Sequence, residues 1–165
     1  MNIIEAFQKE LEKEAITTRK MIERIPEGKF DWQPHPKSMT IKRLANHIIE
    51  LPGWIGMTLH TDGLDFSENP YQPTEYTDTK SLLEHFEEVL ESGRRDLENA
   101  ELDKLEEMWT LSEGEVVYST ETKWEVLRMS ISQIIHHRAQ LGVYLRLLEV
   151  PIPGSYGPSA DEGNG

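Results

Sequence analysis

An all-α four-helix bundle is the fold class this sequence predicts, and three observations carry the prediction. Four stretches of about 20 to 28 residues repeat apolar side chains at spacings of three and four. Each is bounded by capping residues or by proline and glycine. Each has a single apolar stripe, which can be buried only against the stripes of the other three.

In the first stretch Ile4, Phe7, Leu11, Thr18, Met21, Ile22 and Ile25 share a face until Pro26 and Gly28 stop it. The pattern predicts a helix of about 23 residues. The second opens after Ser38-Met39-Thr40, where a hydroxyl can cap free backbone N–H groups, and aligns Ile41, Leu44, His47, Ile48, Leu51 and Ile55. Pro52 and Gly53 should kink it. The third starts at Asp78-Thr79 and carries Leu82, Leu83, Phe86, Val89, Leu90, Leu97 and Ala100, with Gly93 as a local weakness. The fourth, opened by Thr120 or Thr122, carries Trp124, Leu127, Ile131, Ile134, Leu141, Leu145 and Leu148 before Pro151 ends it.

The connections differ in kind. Residues 28–38, GKFDWQPHPKS, hold two prolines and an aromatic pair and predict an extended loop after helix 1, laid over one end of the bundle. Residues 60–78 are long, acidic and rich in turn formers, a segment suited to form one wall of a pocket. Two short β-prone runs around Ser112-Glu113-Gly114 predict a small hairpin before the last helix. Residues 1–150 read as one bundle domain, and residues 151–165, GSYGPSADEGNG at their end, as a flexible tail without an apolar period.

Composition narrows the chemistry. The 165 residues include no cysteine, which excludes disulfides and thiolate ligands; sulfur chemistry would need a thiol brought in from outside. With 17 Lys+Arg against 30 Asp+Glu the formal charge is −13, which repels nucleic-acid backbones and anionic membrane surfaces. No leader-like or membrane-spanning run is present, so a cytoplasmic protein is expected. There is no Gly-rich phosphate loop, no G-x-S-x-G elbow and no H-E-x-x-H.

The chemistry-bearing residues are histidines: His35, His47, His60, His85, His136 and His137. His47 falls on the interior face of the second helix. On the fourth, His137 lies about 60° from the Ile134 and Leu141 stripe and His136 about 160° from it, so only His137 faces in. Gln133, one turn earlier, shares the edge of His137. Metal sites in bundles are built from such inward side chains on facing helices, and imidazole favours Zn, Ni, Cu or Fe. On spacing alone, histidines satisfied by hydrogen bonds at the core edge, with Gln133 as a partner, are the commoner outcome. Glu50, one turn after His47, could add a carboxylate, although the order His-x-x-Glu reverses the di-iron motif. His35 reads as a loop-packing residue, and His60 and His85 as surface residues.

Two segments carry a resemblance. WQPHPKSMTIKRLANHIIELPGW resembles the stretch of DinB-like (DinB/YfiT) proteins in which W-x-P-x-x-x-S precedes L-x-x-H. IIHHRAQLGVYLRLLEVPIPGSYG is similar to their closing signature, a histidine pair followed by Arg, a small residue, Gln and Leu and then a Pro-rich end. The resemblance implies an up-down-down-up bundle, commonly a homodimer, with a divalent metal, nickel or zinc, held by three histidines. By position these are His47, residue 133 and His137, and residue 133 here is Gln133, a weaker donor. Water or Glu50 would complete the shell, and Glu50, His136 and Arg138 are the candidates to support it. The implied activity is that of a thiol-dependent transferase using a low-molecular-weight thiol, or of a hydrolase, acting on a small electrophile. The alternative is a metal-free bundle that binds a small ligand or a protein, Gln133 marking the loss of the site.

Overall fold

The computed structural model describes residues 2–72, 74, 76 and 78–163, and each periodic stretch becomes helical in it. Helix α1 spans Ile3–Ile22; the Asn2 side chain accepts from the Glu5 N–H while Glu5 accepts from the Asn2 N–H, satisfying two donors that a helix start leaves open. Helix α1 ends three residues before Ile25, which is still buried. The second stretch is two helices rather than one kinked helix, α2 over Ile41–Glu50 and α3 over Gly53–His60. Pro52 lacks the N–H that would continue the ladder, so Leu51 and Pro52 form the break. Helix α4 covers Thr79–Glu98 behind an Asp78 cap, and α5 covers Lys123–Leu147, with the Glu125 carboxylate accepting from both the N–H and the hydroxyl of Thr122.

Leu11, Ile22, Leu44, Ile48, Leu90 and Leu141 are all but inaccessible to water, so the stripes meet as their periodicity requires. The loop after α1 positions α2 directly: the Ile41 N–H donates to the Trp32 carbonyl at 2.9 Å and the Lys42 N–H to the Phe30 carbonyl at 2.8 Å. These bonds satisfy donors of the first turn of α2.

The hairpin predicted before the last helix is present, β2 over Met108–Glu113 and β3 over Val116–Thr122, with Gly114 in the left-handed region at φ 58°. It is joined by a strand the sequence did not announce. Residues Gly63–Asp65 form β1, which pairs in parallel with β2, placing Gly63 opposite Thr110. The Asp65 carboxylate accepts from the N–H groups of Ser67 and Gly114, so the long loop after α3 is tied to the hairpin turn.

Two sequence expectations change here. Gly93 is no weakness: it is buried where α4 crosses the α2–α3 break, and a Cβ built on it would lie 2.8 Å from the Pro52 carbonyl oxygen. Gly93→Ala should therefore lower stability by about 1–3 kcal/mol despite the better helix propensity of alanine, because the contact is with backbone that cannot turn aside. Chemical denaturation would show it as a lower midpoint. The segment after Pro151, which its composition reads as flexible, is tied to the bundle: Arg146 pairs with Asp161, the Ile152 N–H donates to Asp161, and Tyr156 donates to Glu14 at 2.9 Å. Polar bonds hold it where an apolar period does not. Among the described residues, no helix is long and apolar enough to cross a membrane.

Candidate functional site

Helices α2 and α5 bring the predicted residues to one point. On α2, Leu44 and Ile48 are buried, as is Leu51 just past its end, and His47 stands at the edge of that stripe. On α5, Ile134 and Leu141 are buried, and Gln133, His137 and Gln140 follow one another along the neighbouring edge. The Gln133 Oε1 atom lies 3.3 Å from His47 Nε2 and 3.0 Å from His137 Nε2. The two imidazoles meet edge to face with centroids 4.6 Å apart. The two rings share the Gln133 oxygen as a common partner.

A residue outside the expected set orients His137. Its Nδ1 is 2.9 Å from Gln140 Oε1, one turn further along α5. With that oxygen as acceptor the ring proton sits on Nδ1, so Nε2 presents a lone pair toward His47 and Gln133. The amide nitrogen of Gln133 contacts the Met129 sulfur at 3.1 Å, which keeps Oε1 turned to the histidines. Burial lowers the pKa of both His47 and His137 below 6.5, so both rings are neutral at pH 7.

The other candidates separate. His136 is exposed and touches the cluster only by its ring, edge to face with His137 at 4.8 Å. Glu50 lines the same cleft, and its carboxylate accepts from the Tyr71 hydroxyl at 3.0 Å. Burial raises the pKa of Glu50; burial and the Glu50 carboxylate push the Tyr71 phenol up to about 12. Arg138 does not support the histidines. It is buried on the side of α5 that faces α1 and bonds Glu14 at 2.5 Å, because one residue along a helix turns a side chain by about 100°. His35 accepts from the Lys37 N–H in its loop, His60 pairs with Asp96, and His85 pairs with Glu88 and stacks near Tyr76. Among the described residues no three His, Cys, Asp or Glu side chains gather to hold a metal ion; the third side chain at the cluster is the Gln133 amide.

The cluster opens into a cleft of about 600 Å³. Residues 60–78 form a wall of it, as their length and composition suggest, through Leu64, Phe66, Pro70 and Tyr71; Pro73, Glu75 and Thr77 of that segment lie outside the described residues. Asn46, buried beside His47, donates to the Thr74 carbonyl at 2.6 Å and holds the segment to α2. Trp54 and Met57 from α3 extend the apolar lining, so the hydrophobic surface and the histidines share one space.

The model of the DinB family matches residues 2–164 of the chain. Among solved structures, the DinB-like protein YjoA of Bacillus subtilis is similar at TM-score 0.71 and 18% identity, over 91% of this chain and 97% of that one. A DinB-like protein of Bacillus cereus is similar at TM-score 0.67 and 21% identity, over 92% and 97%. YfiT of Bacillus subtilis, described as a probable metal-dependent hydrolase with an unusual four-helix bundle topology, is similar at TM-score 0.65 and 12% identity, over 88% and 87%. No curated protein matches the chain. The chain belongs to the DinB family.

Proposed function

We propose that this DinB-family protein is a metal-dependent enzyme in which His47, His137 and the Gln133 amide oxygen hold one divalent ion, nickel or zinc, at the floor of the cleft. The observation that carries the reading is the convergence of acceptors. With its proton on Nδ1, His137 directs a lone pair at Gln133 Oε1, itself an acceptor, 3.0 Å away, and His47 Nε2 is 3.3 Å from the same oxygen. Lone pairs placed this way repel unless a cation or a ring proton lies among them; burial disfavours a second proton on either ring, and a single cation would satisfy all three atoms at once. The donor set fits a borderline metal, and Gln140 acts as the outer partner that fixes the ring of a ligating histidine.

A bound ion would supply Lewis acidity that yields a thiolate or hydroxide nucleophile at neutral pH, for transfer of a small thiol or for hydrolysis. The chain's own residues supply the remainder. The Trp54, Leu64 and Phe66 surface excludes water and takes an apolar substrate. Glu50, its carboxylate held by Tyr71 with a raised pKa, can accept a proton at the cleft wall. The up-down-down-up order implied by the family motifs puts the second and last helices side by side, as this site needs.

One observation favours a second reading, a metal-free binding module. If Nε2 of each histidine carries the proton, both rings donate to Gln133 Oε1, and the Gln140 amide turned about its axis donates to Nδ1 of His137. Calorimetric titration of untagged protein with Zn²⁺ and Ni²⁺ decides between them. Under the leading reading one ion binds per chain, His137→Ala abolishes binding, and His136→Ala leaves it unchanged. Binding should hold to below pH 6.5 and fall as the two rings protonate there, because their values lie under that of free histidine. A wild-type protein that takes up neither ion leaves only the binding module.

A further inference from the structure

Arg43, His47, Glu50 and Trp54 follow at spacings of four, three and four through α2 and α3 and line one wall of the cleft. The first of them is exposed and, like Arg24, Arg95 and Arg128, has no side-chain partner among the described residues; of these four only Arg43 lines the cleft. Arg19, Arg94, Arg138 and Arg146 are each paired with a carboxylate, on Glu87, Glu12, Glu14 and Asp161. Among the described residues the Arg43 guanidinium has neither an ion pair nor a hydrogen bond; only its backbone N–H is engaged, by Thr40.

Glu50, the acid of the cleft lining, sits two turns along the helix, about 10 Å of axis away, and its carboxylate is bonded to Tyr71. His47 is taken up with Gln133. Among the described lining residues Arg43 is thus the charged side chain without a bonded partner, opposite in sign to the −13 of the chain. A guanidinium never deprotonates and matches a carboxylate through two parallel N–H bonds. The space it borders is otherwise lined largely by Met39, Trp54, Met57, Leu64 and Phe66, and about 600 Å³ accommodates a bicyclic molecule.

We propose that the cleft selects an organic monocarboxylate with an apolar or aromatic body, its carboxylate paired with Arg43 and its body against the apolar lining. The inference rests on the proposed function only in taking this cleft as the substrate site. Arg43 is a specificity-determining residue in it, and it acts through charge on a part of the molecule remote from the histidines.

The test uses 2-naphthoate and its uncharged counterpart 2-naphthamide, titrated calorimetrically into EDTA-treated protein at low salt. Wild type should bind the carboxylate at least tenfold more tightly than the amide. Arg43→Gln should reduce that ratio to less than twofold while leaving the amide's affinity unchanged, and Arg43→Lys should keep an intermediate preference, since it retains the charge without the fork. Equal affinity for the two probes in wild type, a preference that survives Arg43→Gln, or no binding of either probe at millimolar concentration would each overturn the proposal. The chelator keeps the two readings distinguishable. Failure of metal binding with the Arg43-dependent preference intact removes the metal-dependent enzyme alone; metal binding without the preference removes this inference alone.

Discussion

In a chain carrying Gln133→His, zinc or nickel should bind at least tenfold more tightly than in the wild type, a gain of about 1.4 kcal/mol or more. Residue 133 is one helical turn before His137, and its side-chain oxygen already lies 3.0 and 3.3 Å from the two imidazole nitrogens. A third imidazole there would replace a neutral amide oxygen with the donor that borderline metals prefer. The substitution costs the wild-type contacts of Gln133, with both histidines and with Met129 Sδ, so the metal-free protein should melt at a lower temperature. Metal should then raise the melting temperature of the variant more than that of the wild type, since stabilisation grows with the logarithm of ligand concentration over Kd. Competition titration against a chelator indicator gives the affinity, and calorimetry with and without metal gives the stability. An affinity equal to or below that of the wild type would show that position 133 does not face the ion, and would end the three-donor site.

The sequence made some of this visible and hid the rest for physical reasons. Helix positions followed from apolar spacing, because a stripe such as Ile134, Leu141 and Leu145 has to be buried wherever the helix packs. His47, Gln133 and His137 could be placed on facing edges by the same arithmetic, since direction around a helix is fixed by residue number. Gln140 was within reach of it too, three residues after His137 on the same edge, had the outer partner of a ligating ring been sought. Strand β1 was not visible. Three residues of a turn-rich loop have no period, and their pairing with β2 depends on where α3 delivers the chain. The Tyr71–Glu50 bond and the loop's place beside the histidines are long-range in the same sense. Arg43 could be read only as a surface residue of α2, because what makes it notable is the cleft it borders and the lack of a partner, both properties of the assembled fold.

Arg138, a candidate to support the metal shell, lies instead on another face of α5, and it yields the largest stability effect expected of a single side chain here. It is 2% exposed and Glu14 1%. Its Nη1 bonds the Glu14 carboxylate at 2.5 Å and the Glu14 carbonyl at 3.2 Å, and Nη2 bonds Ser155 at 3.0 Å; Tyr156 donates to the other carboxylate oxygen. One buried pair therefore joins α1, α5 and the C-terminal segment. Removing one partner strands the other charge away from water, so Arg138→Met should cost about 3–5 kcal/mol, and Glu14→Gln a cost of the same sign. The double substitution Glu14→Leu with Arg138→Met leaves no stranded charge and should recover most of the loss, which a double-mutant cycle by chemical denaturation measures directly. If Arg138→Met costs less than about 1 kcal/mol, water reaches the pair and the interior position is wrong. The same variant tests the separation of faces on α5: under conditions where it is folded, its metal affinity should equal that of the wild type, because the guanidinium points to α1 while His137 points to His47.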